Sequence, residues 1–533
     1  MKWRVWGYTA VAATHAARRS RPRDRFTLQF VEPPGGEMLP LPELMKQLRP
    51  LFAQESQPVY LVGGAVRDAL LGQVSADLDF VQPADAVKLS FRVADALGVP
   101  AYVLDKERDT GRVILPEQHT YLDFACFRGS DLEADLLGRD FTINAIALPA
   151  GAQTDASLID PSNGRADLQA KLIRHIHDHS LLDDPVRTLR GLRLALRLGF
   201  ALAPETAKAI TAATAHLHTI SNERIRDELL KLLQTSQPDE AIRQMQALGL
   251  LAVVLPEIAA EEGVTQSPPH HEDVLTHTIS VLRWLVKVEE VLTAVPSTPS
   301  ELHEIYTHLS VYVPGLQAHW QREVDGGVDG RTLLRLGALY HDVGKPETRK
   351  VEENEEGVAG RIRFFDHDQQ GAVIAARQLH RLALSNEAVV HVQRIVAGHM
   401  RPFLLNQSVF NQGGSILSRR VVYRYFRATG EAGLDIAILC LADHLAAHNG
   451  SGEEVEWQQL LKIVGQLLDH YFAHYEETVA PPLLVNGRDL ITELHLQPGP
   501  EVGRLLRLIQ EGQAAGEIHT REEALAFAHR SQA

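Results

Sequence analysis

The run Val59-Tyr-Leu-Val-Gly63-Gly64-Ala-Val-Arg67-Asp68-Ala-Leu-Leu-Gly72, with Asp77-Leu-Asp79 close behind it, leaves the chain few ways to fold. Apolar residues running into paired glycines and then into a helical pattern read as strand, tight turn and helix. Asp77-Leu-Asp79 then opens a second strand, where residues two apart project from one face. From Pro58 to about Leu148 short apolar runs recur (VYLVGGAV, LDFV, AYVL, GRVIL, TYLDFACF, NAIAL) around one helical stretch, Ala84 to Leu97. That pattern predicts a head with a small mixed sheet. From Leu181 to about Pro256, and again from about Asp273 past His474, Leu and Ala return at helical spacing. A Pro/Ser-rich patch (Val295 to Glu301), a Gly-rich patch (Asp325 to Gly330) and a charged segment (Val351 to Gly360) read as loops or an insertion, and the tail from Pro481 as two short helices. The fold class is therefore α+β, with the sheet confined to the head and the remainder largely all-α. Candidate domains span residues 38–150, 151–262, 263–475 and 476–533.

Composition narrows the function classes. Net charge is −15 over 533 residues, which argues against a protein that coats nucleic acid non-specifically but leaves room for a local basic groove. Cys126 and Cys440 are the only cysteines, so no disulfide framework is available and a reducing cytoplasm is the expected location. The most apolar stretch, Leu434 to Ala447, is broken by Asp443 and His444, so no membrane partner is expected. Residues 1–37 carry seven basic residues without the apolar core of a secretory signal, and read as a disordered extension or a mis-called start ahead of Met38.

Side-chain chemistry adds two constellations. Gly63 and Gly64 let backbone amides approach a triphosphate at a helix start. Asp77 and Asp79 are hard ligands suited to Mg²⁺, with Asp123 in TYLDFACF as a candidate third carboxylate; such a site activates a hydroxyl and stabilises departing pyrophosphate. In Asp183-Asp184-Pro185-Val186-Arg187, Asp184 is placed to cap a helix with Pro185 at its first position, and Asp184 and Arg187 fall on one face. Arg190, Arg193 and Arg197 continue a basic stripe suited to RNA phosphates, a solvated face being the plain alternative. Further on, His277, His341-Asp342 and Asp443 stand on helical patterns in the order H…HD…D, with Lys345 placed to hold phosphate.

From Met38 onward these motifs resemble, in order, those of the class II tRNA nucleotidyltransferase and bacterial poly(A) polymerase family. The resemblance implies a nucleotide pocket shaped by Gly63, Gly64, Arg67 and Asp68. Gly138-Arg139-Asp140-Phe-Thr-Ile-Asn144-Ala145 is similar to the second family motif, so Arg139 and Asp140 inherit contacts to ribose and phosphates and Asn144 joins the nucleotide-binding set. Gly138 stands where the family usually has a second Arg. Ile159-Asp160-Pro161 with Gly164 and Asp167-Leu168 is similar to a hinge motif. Asp184 and Arg187 match the pair that hydrogen-bonds the base edges of CTP and ATP, with Arg190 beside them. Ser221-Asn-Glu223-Arg224 resembles a packing motif with no catalytic role. The H…HD…D order resembles the HD phosphohydrolase superfamily, which implies Mn, Ni, Co, Fe or Mg at that site, with His367 and His399 at positions that some members use for a second metal, serving either hydrolysis or a domain that mainly holds tRNA. The tail (Leu484 to Leu490, Pro498 to Leu505) also looks like that of HD-bearing members.

The expected function is addition of C and C, with or without a final A, to the tRNA 3′ end from CTP and ATP without a nucleic-acid template, with the 3′ end and acceptor arm of tRNA as partner. Only Gly129 and Ser130 separate Phe127-Arg128 from Asp131, where enzymes that add all of CCA commonly carry a longer flexible loop. Its absence is associated with the CC-adding subtype, which needs a separate A-adding enzyme. The alternatives are a poly(A) polymerase, which a non-basic tail disfavours, a metal-dependent 2′,3′-cyclic phosphodiesterase or phosphatase with a non-catalytic RNA-binding head, and a tRNA-binding protein without turnover.

Overall fold

A computed structural model describes residues 8–10, 28–30, 33, 35–116, 120–293, 302–353, 359–411, 414, 416–450 and 454–532. The chain divides into two compact units, 1–219 and 220–533. Most of 1–37, with the Pro/Ser-rich patch at 295–301, lies outside the described residues; within it, Tyr8–Ala10 pairs antiparallel with Leu28–Phe30.

In the first unit each of the six apolar runs contributes one strand: β1 (Tyr60–Val62), β2 (Leu78–Gln82), β3 (Ala101–Asp105), β4 (Thr110–Leu115), β5 (Thr120–Cys126) and β6 (Ala147–Pro149). Their order is β3-β4-β5-β2-β1-β6, with β2 and β5 parallel and the other pairs antiparallel, a mixed sheet as expected. Alternation along β2 and β5 sends Phe80 and Phe124 to one face, where their rings stack at 5.1 Å and Phe52 of helix α1 (Leu44–Phe52) tilts against Phe80 at 5.0 Å. The same alternation sends Asp79 and Asp123, directly opposite in register, to the other face. Helix α2 (Gly64–Leu70) follows the paired glycines. Helix α3 (Ala86–Leu97) begins at Ala86 rather than Ala84, because its first amides, Ala86 and Val87, donate to Asp109 at 2.9 and 3.0 Å. A cap supplied from 23 residues away is invisible to local pattern.

Helix α4 (Leu132–Leu137) is capped by Asp131. Helix α5 runs Arg187–Leu198, and here the expected cap is not seen: Val186 holds the N-cap position, and Asp184 and Pro185 form a tight turn before it. The carbonyls of Asp184 and Pro185 accept from Arg187 and Thr188 N–H at 3.0 Å each, so the first turn closes with short-range backbone bonds instead of a side-chain cap.

In the second unit the elements that position the functional groups are α6 (Asn222–Leu233), α7 (Val274–Thr293), α8 (Val313–Gln321), α9 (Gly330–Tyr340), α10 (His367–Arg381), α11 (Asn386–Gly398) and α12 (Ala432–Ala447). Helix α12 is buried along its whole length, which explains a run apolar enough to be compared with a membrane span; among the described residues no helix is long and apolar enough to cross one. Buried Arg335 on α9 grips Glu289 on α7 with two bonds (3.1 and 2.6 Å) and donates to the carbonyls of Leu233 and Thr235 at 2.6 and 2.8 Å. Two segments expected as loops are paired: Glu323–Asp325 meets Val328–Asp329 across Gly326-Gly327, and Arg349–Glu353 meets Ala359–Phe364. Charge at most positions of the second ladder hid its period. The tail holds three helices rather than two, Gly487–Glu493, Pro500–Ala514 and Arg521–Arg530, around a small core that includes Leu490, Leu505 and Ile509. The first and third open with capping boxes, Asn486/Asp489 and Thr520/Glu523.

Candidate active sites

In the head, Gly63 turns the chain from β1 into α2 with φ 73°, a conformation that suits glycine. A Cβ there would stand 3.3 Å from Arg139 Nη1 and 3.5 Å from Asp79 Oδ2, so the glycine keeps the floor of the cleft clear. Gly63→Ala is expected to cut nucleotide addition by on the order of 10²-fold while the second unit melts unchanged, measured by single-nucleotide primer extension and calorimetry. A cleft of about 590 Å³ opens over Asp79, Asp123, Arg108, Arg128, Asp135 and Arg139. Asp79 reaches solvent through this cleft, yet protein crowds it from the sides. That crowding, with Asp123 and Asp77 adding negative charge, raises its carboxyl to about 6. Asp77 lies at the bend just before β2 rather than within the strand, its Oδ1 3.3 Å from both Thr120 Oγ1 and Tyr121 N. Asp79 and Asp123 on the cleft wall, with Asp77 near enough to raise Asp79 and keep it reluctant to ionise, suit a divalent cation.

Asp123 has a partner that sequence reasoning missed. Arg112, directly opposite it on β4, donates Nε–H and Nη2–H to its two oxygens at 2.7 Å each. Asp135 was also missed: buried on α4, it accepts from Arg139 Nη2 at 3.0 Å and from the Arg128 amide at 2.9 Å.

The remaining head residues join in one network. Arg197 donates to Asp68 (3.1 Å), Asp68 accepts from Arg67 (2.8 Å), Arg67 donates to Asn144 Oδ1 (2.7 Å), Asn144 donates to Asp140 (3.0 Å), and Arg190 closes on Asp140 at 3.4 Å. Burial alone would push Asp140 up, but Arg190, the Asn144 amide and the Phe141 N–H hold it below the usual carboxylate range. Arg187 donates to the carbonyls of Gly138, Arg139 and Ser180 at 3.1–3.2 Å and lies 3.8 Å from Asp184. Gly138, where a second Arg was expected, thus supplies a carbonyl to α5. The basic stripe is not a bare surface, since three of its arginines anchor α5 to the head.

In the second unit His277, His341, Asp342, Asp443, His367 and His399 converge, five of them from α7, α10 and α12 and from the turn that ends α9, and His399 from the end of α11. His277 Nε2 stands 3.1 Å from Asp443 Oδ1 and 3.8 Å from Asp342 Oδ2; His367 Nε2 is 3.5 Å from Asp342 Oδ1 and 3.2 Å from His399 Nε2. His341, His367 and His399 each pair Nδ1 with a carbonyl three residues back at 2.7–2.8 Å, which turns Nε2 toward the shared centre. His341 Nε2 is buried without a hydrogen bond, as a waiting metal ligand would be. Burial works against charge on Asp342, yet His341 and Lys345 (Nζ 2.6 Å away) hold it ionised well below the usual range. Burial and neighbouring His367 lower His399 to about 4, keeping it neutral and able to coordinate. An adjoining pocket of about 300 Å³ is lined by Lys345, Arg361, Arg363 and His270. His270, unmarked in the sequence, sets its ring 4.5 Å from that of His277 and is lowered to about 3 by burial.

Known proteins resemble this chain along most of its length. Residues 59–174 match the poly A polymerase head domain, 199–262 the probable RNA and SrmB-binding site of polymerase A, 274–448 the HD domain and 421–528 the putative tRNA nucleotidyltransferase domain 2. An A-adding tRNA nucleotidyltransferase of Deinococcus radiodurans is 34% identical over 88% of this chain and 94% of its own length. A CC-adding tRNA nucleotidyltransferase of Thermus thermophilus is 32% identical over 87% of this chain and 92% of its own. A CCA-adding enzyme solved with ATP shares the fold with a TM-score of 0.57 at 20% identity, over 92% of this chain and 94% of that one. The chain is a nucleotidyltransferase and belongs to the class II tRNA nucleotidyltransferase family of CCA-adding enzymes.

Proposed function

We propose that this tRNA nucleotidyltransferase is of the CC-adding subtype. The observation that carries this is the connection from β5 to α4: Arg128 N–H is tied to buried Asp135 and Asp131 caps α4, so the few residues between Cys126 and Leu132 hold no free loop. In the proposed assignment Asp77 and Asp79, with Asp123 nearby, hold Mg²⁺. Bound there, the cation would supply charge neutralisation on the triphosphate and lower the cost of ionising the attacking hydroxyl. Gly63, Gly64, Arg67, Asp68, Arg139, Asp140, Asn144 and Arg190 form the nucleotide pocket. Asp184 and Arg187 offer an acceptor and donors to the base edge, and Arg193 and Arg197 lie toward the RNA. The tRNA 3′ oxygen bonds to the α-phosphorus of CTP, the α–β anhydride breaks, and pyrophosphate leaves. The work of the chain is positioning and electrostatics. The protein would act in the cytoplasm, and a separate A-adding enzyme would finish the tRNA.

The similarity to an A-adding relative favours a second reading, addition of A alone. One experiment separates them. Purified protein with Mg²⁺ receives tRNA ending at the discriminator base or at CC, with CTP, ATP or both, and products are resolved at single-nucleotide length. Two C additions that stop with ATP present support our assignment; A addition confined to tRNA ending in CC supports the second. Three additions would identify a full CCA enzyme, and long A tails a poly(A) polymerase.

The convergence of His341, Asp342 and their neighbours beside Lys345 supports a phosphohydrolase activity in the second unit, dependent on Mn, Ni, Co, Fe or Mg. Release of nucleoside monophosphate from 2′,3′-cyclic AMP with each metal is its test. Asp342→Asn is expected to reduce it at least about 10²-fold and to leave C addition intact. Equal turnover in both chains would refute the assignment.

A further inference from the structure

A second group of metal-ligand side chains lies in the same unit, and no motif marks it. His319 near the end of α8, His391 in the middle of α11 and Asp435 in the first turn of α12 bring their ligand atoms within 4.8 Å of one another. His319 Nε2 stands 2.9 Å and His391 Nε2 2.6 Å from Asp435 Oδ2. The Asp435 side chain is fully buried (0% exposed) and those of His319 and His391 nearly so (8% and 9%). Asp435 Oδ1 is buried and has no hydrogen-bond partner. A buried carboxylate oxygen with nothing to accept is costly, and two imidazoles crowding its sister oxygen do not relieve it.

The two pairs on α11–α12 are related by a simple step. His391 precedes His399 by eight residues, and Asp435 precedes Asp443 by eight on α12. Eight residues of helix advance by about 12 Å, so the new group sits beside the HD group along the same helices while remaining too far away to share an ion with it.

We propose that His319, His391 and Asp435 form a separate structural zinc site that ties α8, α11 and α12 together. Two imidazole nitrogens and one carboxylate oxygen make three of the four ligands of a tetrahedral zinc, and a water reaching the thin exposed edge of His319 and His391 supplies the fourth. Two imidazoles make the set ill suited to Mg²⁺, which prefers oxygen. The site is independent of which nucleotides the head adds.

The test uses the full chain with the HD ligands disabled by His341→Gln and Asp342→Asn. Protein stripped by chelator is reloaded with Zn²⁺, freed of excess by gel filtration, and its metal content measured by plasma mass spectrometry. About one zinc per chain is expected to remain. It is expected to be lost on adding Asp435→Asn or His391→Gln, with zinc raising the melting temperature only where Asp435 and His391 are present. X-ray absorption at the zinc edge of the loaded chain with Asp435 and His391 intact reads the ligands without any further variant: two imidazoles with oxygen fit the site. No retained zinc, zinc content indifferent to Asp435→Asn, or a shell with fewer than two imidazoles overturns the proposal.

Discussion

Asp79→Asn should abolish nucleotide addition, by at least about 10³-fold, and should do so without weakening the metal-free fold. The two effects share one cause. Burial and the nearby Asp123 and Asp77 hold the Asp79 carboxyl near 6, so in the native protein it resists ionising. Its native pKa lies above its unfolded value of 3.8, so below about pH 4 it costs the native state nothing. Between about pH 4 and 6 the native state binds more protons than the unfolded one, and stability falls as pH rises through that window. Asn removes that cost along with a ligand. In EDTA at pH 7 the variant should melt at the wild-type temperature or above it, and the two should converge at pH 4. With Mg²⁺ the order should reverse, because only the wild type gains from the cation. Single-nucleotide extension and calorimetry across that pH range supply both readouts. Activity within tenfold of wild type would remove Asp79 from the site.

The largest stability effect is expected at a residue in neither site, Arg335. Its guanidinium neutralises Glu289, which burial drives toward the protonated state, and satisfies two carbonyls at the end of α6. Arg335→Ala strands a buried carboxylate and those carbonyls together, for a loss of about 3–5 kcal/mol. The melting transition of the second unit should fall by on the order of 10 °C. Pairing Arg335→Met with Glu289→Leu should recover most of the loss, since an apolar replacement of the whole ion pair is often neutral. A single-variant loss below about 1 kcal/mol would mean that water reaches Glu289.

Much of the head was legible because its strands carry their signal locally. Each of the six apolar runs is short and set off from its neighbours, which is enough to read it as a strand, and the parallel pairing of β2 with β5 is what brings Asp79 and Asp123 side by side. What escaped was nonlocal. Arg112 meets Asp123 through the β4–β5 register, which no spacing in the sequence sets. Asp109 caps α3 from across the sheet. Asp135 could have been noticed, since it precedes Arg139 by four residues, the spacing of a helical ion pair. His277, His341, Asp342 and Asp443 stood out by their order, and His367 and His399 joined them by resemblance. His319, His391 and Asp435 lack a local signature, and only three packed helices bring them together. The third tail helix was hidden behind Gly516 and was announced by Thr520 and Glu523, a capping signal that was not used.

The linked side chains from Arg197 through Asp68, Arg67, Asn144 and Asp140 to Arg190 also bear on how such a chain can change over generations. Each of the four inner members answers to two neighbours, so a substitution at one leaves a donor or acceptor without its mate, and the penalties of adjacent substitutions do not add. Drift through these positions must go by compensated pairs or stop. The segment between Cys126 and Leu132 stands outside this web, so its length can change without touching a single link.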